Sequence, residues 1–252
     1  MKNIDERALA FVNMFAVLGA IPKLCTMDES AAELAKKEIS VGFAVKNGPD
    51  ATLIFGNGEC RLVRGCIEPD IKLPFSSCKK FNGMVDGTVT PIPSKGFFKL
   101  GFLTGDFVKL TGILEKYLRP KTADMADGEF FRKSTLLTLH VLVSAAAELG
   151  NTDKVSMASA SYIPDGNIEI SVLGGETVWL NAKNSHLTAV FNCPGDITSA
   201  MSFESLELAA DIFNGKANSV ASVGSGGVRI RGMIPQVDNL NRIFDRVALY
   251  LQ

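Results

Sequence analysis

The sequence predicts an α+β chain made of two similar domains, residues 1–120 and 121–252. Three observations carry this. An apolar helical pattern near residue 107 returns near residue 237. A phenylalanine lies 12 residues before a glycine in each half, since 87 − 75 = 12 and 215 − 203 = 12. Each half also strings short apolar runs between tight-turn residues. In the first of these patterns Phe107, Leu110, Ile113, Leu114 and Tyr117 match Val237, Leu240, Ile243, Phe244 and Val247 at an offset of 237 − 107 = 130. Glu115-Lys116 falls on Asp245-Arg246 at the same offset. Steps of three and four put such residues on one buried face of a helix.

Length and composition agree. A chain of 252 residues suits two domains of roughly 100–150 residues, each large enough to bury a core without disulfides or metal. The hydrophobic content of 46% and charged content of 21% are those of a soluble globular protein. A net charge of −1, with no Lys/Arg run longer than two, excludes the basic face that nucleic-acid binding demands. Cys25, Cys60, Cys66, Cys78 and Cys193 form an odd set without a C-x-x-C pair. They read as free thiols of a reducing, cytoplasmic compartment rather than a disulfide framework.

Each domain opens with an apolar helix. Residues 8–22 and 134–147 are uncharged stretches of fifteen and fourteen, short of the roughly 20 residues that span a bilayer. Both read as buried core helices, and Asp5 and Glu6 sit where a signal peptide carries positive charge. No stable membrane insertion is expected. Strands follow. In the first half residues 39–45, 51–55 and 59–65 are joined by Asn47-Gly48-Pro49-Asp50 and Gly56-Asn57-Gly58. In the second half, residues 155–162, 168–173, 176–181 and 186–192 are divided by Pro164-Asp165-Gly166-Asn167, Gly174-Gly175 and Lys183-Asn184-Ser185. Connections this short make antiparallel neighbours. Residues 202–215 then read as an amphipathic helix, with Ser202 as its N-cap and Gly215 ending it in a left-handed conformation. Late strands over residues 97–102 and 228–234 precede the final helices, with Gly101 matched to Gly232. The link around Pro120 to Gly128 stops one helix and starts the next.

Catalytic motifs do not emerge. His140 lies in the most apolar helix and His186 starts a strand, with no H-x-x-x-H or H-x-x-E set to hold zinc. A G-x-S-x-G elbow is missing. Gly224-Ser225-Gly226-Gly227 precedes a strand instead of opening a helix, so it reads as a connection and not a phosphate loop. No catalytic residue, metal site or cofactor is expected.

One set of residues resembles a known family, the sterol carrier protein 2 (SCP2-like) domains. It comprises Asp196-Ile197-Thr198, Phe203, Leu206, Ile212-Phe213, Gly215-Lys216, Asn218 and Val228-Arg229-Ile230-Arg231-Gly232, with Trp179-Leu180-Asn181 and Leu187-Thr188-Ala189 upstream. The match covers residues 129–252. The first half matches through Pro69-Asp70-Ile71, Phe75, Gly87 and Lys99-Leu100-Gly101, and departs at Pro74, Lys80 and a shorter loop. The resemblance implies two domains, each a mostly antiparallel five-stranded sheet covered by helices on one face. It implies non-catalytic binding of a lipid, fatty-acyl or sterol-like ligand in a tunnel between sheet and C-terminal helices. Met201, Phe203, Leu206, Ile212, Phe213, Met233, Leu240, Ile243, Phe244 and Val247 are the expected lining. A structural or oligomerisation module with closed cores, accessory to lipid metabolism, is the alternative. A homo-oligomer is left open.

Overall fold

In the computed structural model, which describes residues 4–251 without the side chain of Val220, the chain divides into two units, Met1–Lys121 and Thr122–Gln252. The first unit begins with α1 (Glu6–Val12). The carboxylate of Asp5 caps it, accepting from the Arg7 and Ala8 amides at 2.8 and 3.0 Å. A π-helical stretch (Asn13–Val17) and a tight turn (Leu18–Ala20) lead on to α2 (Ile21–Met27). The helical run Glu6–Met27 is therefore longer than the uncharged stretch alone indicates. Its length and composition would suffice to cross a bilayer, and 61% of its most apolar stretch is buried inside the protein. Asp28 ends α2 and caps α3 (Glu29–Leu34), accepting from the Ala31 amide at 2.9 Å.

Four strands follow: β1 (Ile39–Val45), β2 (Asp50–Gly56), β3 (Glu59–Arg64) and β4 (Ile71–Phe75). Their order is β3-β2-β1-β4. The β1–β2 and β2–β3 pairs are antiparallel, and β1–β4 is parallel. Ser77 caps α4 (Cys78–Val85), which packs on α1. Buried Asn82 fixes that contact: its amide donates to the Glu6 carboxylate at 2.8 Å and accepts from Asn13 at 3.1 Å. The unit closes with α5 (Val108–Leu118).

The second unit opens with α6 (Gly128–Thr152), capped by Asp127, and α7 (Lys154–Ala160), capped by Asp153. Its sheet holds β5 (Gly166–Val172), β6 (Thr177–Lys183), β7 (His186–Val190), β8 (Ser199–Phe203) and β9 (Val228–Gly232). The order is β7-β6-β5-β8-β9, with β5–β8 parallel and the other pairs antiparallel. Between β8 and β9 lie α8 (Leu206–Phe213) and α9 (Ser219–Gly224), and α10 (Ile234–Tyr250) ends the unit. Both sheets are thus mixed, because the last hairpin-connected strand is followed by a return to the far side of the first. The first four strands have the same order and pairing in both units.

Four expectations need correction. Residues 155–162 form α7 and its exit turn, not a strand. The alternating Val155 and Met157 face solvent at 57% and 47% exposure, while Ser156 and Ala160, four residues apart, are buried. A face of small residues buries this helix, so large apolar residues misled the periodicity. The cap of α8 is Ser205, whose hydroxyl accepts from the Leu208 amide; Ser202 lies in β8. The first unit has four strands rather than five. Residues 97–102 coil into a tight turn (Phe97–Lys99) and a π-helical stretch (Phe102–Phe107). Among the described residues, the place of a fifth strand holds a single bridge, Lys72–Lys95. Pro74 in β4, and Pro91 and Pro93 opposite, bring no N–H, so the ladder cannot extend.

The fourth correction concerns alignment of the halves. Gly96 and Gly232 both have a left-handed backbone, φ +89° and +88°. A Cβ on Gly96 would strike the Asp70 carbonyl, and one on Gly232 the Thr198 carbonyl, each just before the strand β4 or β8. Gly96, not Gly101, therefore matches Gly232. In the final helices, the Tyr117 hydroxyl donates to Asp28 and the Tyr250 hydroxyl to Asp153, both at 2.8 Å. Their offset is 250 − 117 = 133, three residues from the 130 read in the sequence. At 133, Phe107, Leu110, Leu114 and Tyr117 meet Leu240, Ile243, Val247 and Tyr250, and all eight are buried.

Gly96→Ala and Gly232→Ala are each expected to destabilise their own unit by more than about 1 kcal/mol, since both the dihedral and the contact forbid a side chain. Denaturant unfolding of the two variants measures it, with Gly87→Ala (nothing near its Cβ) reporting the dihedral cost alone.

Candidate functional site

The second unit's interior is built from one face of its sheet. Alternate residues of β5 (Ile168, Ile170, Val172) and β6 (Val178, Leu180, Ala182) are buried, with Met201 and Phe203 of β8 beside them. The helices α6 and α10 supply the other wall through Leu136, Leu137, Leu139, Leu240, Ile243 and Val247, none more than 2% exposed.

The ten residues expected to line a site separate into three groups. Met201 and Phe203 (4% exposed each) and Leu240, Ile243 and Val247 are closed in the core. Leu206, Ile212, Phe213 and Phe244 are half-buried. Met233 stands 44% exposed. The half-buried group centres on α8. This helix packs on α6 and fully buries only Ala209 and Ala210. Leu206, Ile212, Phe213 and Leu208, a residue not singled out from the sequence, each keep part of their surface open. Phe213 meets Phe203 edge to face, with ring centroids 5.4 Å apart. The helix ends at Asn214, and Gly215 takes the left-handed conformation (φ +69°) that stops it.

The corresponding helix of the first unit is covered differently. Phe81 of α4 is wholly buried, four residues after the cap Ser77, as Ala209 is four after Ser205. Phe81 belongs to a continuous set of six buried rings. Phe75 and Phe81 lie 5.3 Å apart, Phe81 and Phe43 6.2 Å, Phe43 and Phe107 6.4 Å. Phe55 then joins Phe107 at 6.3 Å and Phe102 at 5.3 Å. By strand register and helix position, Ile170, Ala182, Phe203, Ala209 and Leu240 stand where the first unit has Phe43, Phe55, Phe75, Phe81 and Phe107. Asn82 likewise gives way to Ala210, which can make no polar bond to the helix beneath.

Polar side chains gather at three places in the second unit. His140 Nε2 lies 2.9 Å from Glu176 Oε2, and its ring stacks on Phe191 with centroids 4.4 Å apart. That arrangement clasps α6 to the sheet. Gln236, fully buried, donates to the Pro164 carbonyl at 2.9 Å and accepts from the Thr198 hydroxyl at 2.9 Å. It ties the start of α10 to β8. Asp153 caps α7 through the Ser156 amide at 3.0 Å, accepts from Arg246 Nε at 3.2 Å and Nη2 at 3.0 Å, and accepts from Tyr250. Burial pushes this carboxyl up, but Arg246, the Ser156 amide and Tyr250 together hold it below the usual carboxylate range. Asp153 did not stand out in the sequence, and Arg246 did so only as half of the repeated charged pair. A caps-type Asp after a long apolar helix was the available signal. Among the described residues no group of three or more His, Cys, Asp or Glu is placed to hold a metal ion.

The thiols divide by exposure. Burial pushes Cys25 up to about 11 and raises Cys60, Cys66 and Cys78 as well. Cys193 is exposed.

Removing Asp153 takes the carboxylate away from the half-buried Arg246 guanidinium. Asp153→Ala is expected to cost ~3–5 kcal/mol in the second unit, seen as a lower denaturation midpoint. Because the folded carboxyl titrates below its unfolded value, its contribution is complete above the ordinary carboxylate range and lost as pH falls through the folded value. A urea series from neutral to acid pH should show the wild type converging on Asp153→Ala at the acid end. In thiol labelling with a disulfide reagent at neutral pH, Cys193 should react first and the four raised thiols slowly; Cys193→Ser should remove the fast phase.

No family model matches the chain, and no curated protein matches it. Solved structures do. A "UbiJ-SCP2 Ubiquinone synthesis protein" is 15% identical with a TM-score of 0.33, over 42% of this chain and 94% of its own. The sterol carrier protein domain 2 of Helicoverpa armigera is 17% identical with a TM-score of 0.37, over 44% and 88%. Sterol Carrier Protein 2 from Yarrowia lipolytica, in its apo form, is 17% identical with a TM-score of 0.29, over 40% and 91%.

Proposed function

We propose that the chain is a tandem pair of SCP2-like domains, and that its second unit binds a lipid or another long apolar molecule without catalysing its conversion. The ligand contacts α8 and Phe244 of α10. The observation that carries this is the half-covered apolar surface of α8. Leu206, Leu208, Ile212 and Phe213 stay partly open over a closed core, on a helix seated through two alanines. Small seating residues leave α8 free to shift outward, as the Asn82-locked α4 is not. The sequence pattern from Asp196 to Gly232 supports the same placement. The five unpaired cysteines support a cytoplasmic setting.

Affinity needs no charged anchor. Each methylene withdrawn from water contributes ~0.8 kcal/mol, so a dozen give roughly 10 kcal/mol before association costs. In the first unit six rings occupy the interior, which suits a structural partner rather than a second carrier. A scaffold with closed cores throughout is the other reading. It is favoured by the complete burial of Leu240, Ile243 and Val247.

Native mass spectrometry of the purified chain, followed by organic extraction, should reveal an apolar adduct. Ile212→Asp and Phe213→Asp, at half-open positions, should remove it while leaving the fold intact by circular dichroism. A fatty-acyl or sterol probe at ~100 times its Kd should stabilise the protein by about 2.7 kcal/mol, a melting shift of several degrees. A protein that yields no extractable lipid and shows no shift with either probe is a scaffold.

A further inference from the structure

We propose that residues 95–99 and residues 229–234 are two docking tips for an anionic lipid surface. The left-handed glycine of each unit is followed at once by two outward apolar side chains. After Gly96 come Phe97 at 57% and Phe98 at 105% exposure. After Gly232 come Met233 at 44% and Ile234 at 66%. Both glycines are wedged against the backbone that opens β4 or β8, so the backbone that carries each pair is held at the surface. With the backbone already held, only the side-chain rotamers remain to be ordered when these groups enter another phase.

Cations flank both pairs. Lys95 and Lys99 bracket the first, and Arg229 and Arg231 precede the second. Lys99 is answered by Asp70 at 2.5 Å and Arg231 by Glu169 at 3.4 Å. Lys95 and Arg229 are exposed and have no acidic partner among the described residues. On a chain with net charge −1, both tips thus set cations beside their exposed apolar side chains. Two-residue tips are far smaller than the ~800 Å² per side of a stable protein interface. They match a surface where apolar side chains sink to acyl depth and cations meet phosphate and carboxylate headgroups. The proposal holds whether or not α8 carries a ligand.

The test is sedimentation of the full chain with phosphatidylcholine vesicles and with phosphatidylcholine–phosphatidylserine vesicles. Binding is expected to the anionic vesicles and to weaken with salt. Lys95→Glu should lower partition by roughly fivefold or more. Phe98→Asp and Ile234→Asp should each lower it severalfold, and together abolish it, with melting temperatures unchanged because all three residues are exposed. Ile212→Asp should sediment like the wild type, which separates surface docking from ligand binding. Wild-type protein that ignores anionic vesicles overturns the proposal, as does equal sedimentation of the double variant. A change in assembly mass by light scattering in Phe98→Asp, with vesicle binding intact, would assign the tip to a protein contact instead.

Discussion

A carboxylate at a helix junction holds each unit together. Asp28 and Asp153 each end one helix and begin the next, and each receives a hydroxyl from a tyrosine near the end of its unit. One residue thereby fixes the bend between two opening helices and the position of the last helix. The sheet lies within that closure, and its inward face must match whatever the helices present. In the second unit Arg246 adds a full charge to the bond. Ile113 stands at the matching place in the first, by the Tyr117–Tyr250 alignment. The second closure is consequently ionic and sensitive to acid, while the first rests on a capped helix and a neutral hydroxyl.

Within the same closure the units fill their interiors with different residue types. The first buries Ala8, Ala10, Ala16 and Ala20 on its opening helices beside Met14, Leu18, Ile21 and Leu24, and fills the interior with phenylalanines from the sheet, α4 and the final helix. The second puts Leu136, Leu137 and Leu139 on the opening helix, and the inward face of its sheet is aliphatic or small apart from Met201 and Phe203. Both reach dense interiors, as cores must. The difference appears at the short helix after the parallel strand. Where Phe81 plugs inward, α4 is locked; where Ala209 seats α8, larger apolar residues are displaced to the rim.

Much of this was legible in the residues. The strand meander, the short helix ending at Gly215 and the two apolar opening helices follow from turn chemistry and periodicity. The alignment of the final helices was misread because helical patterns repeat nearly as well after a shift of three as of none. Only the tyrosine–aspartate bonds, which join residues 89 and 97 apart, select the right one. The strand expected at residues 155–162 failed because the buried face of α7 is made of Ser156 and Ala160, which carry almost no hydropathy signal. Of the candidate site, the identity of the apolar residues could be read, but not their coverage. Leu240 and Leu206 are the same residue type, one sealed and one half-open, and the difference lies in what packs beside them.

The prolines that shorten the first sheet have a further effect. Two domains with the same strand order on one polypeptide can trade strands while the chain is being made, a known hazard of multidomain folding. The edge of β4 would be the natural acceptor for β9, since β8 accepts that strand in the same place. Pro74 denies it a donor there, and the Lys72–Lys95 bridge occupies its other end. With that edge closed to a fifth strand, the first sheet presents β9 with no ladder like the one it joins on β8.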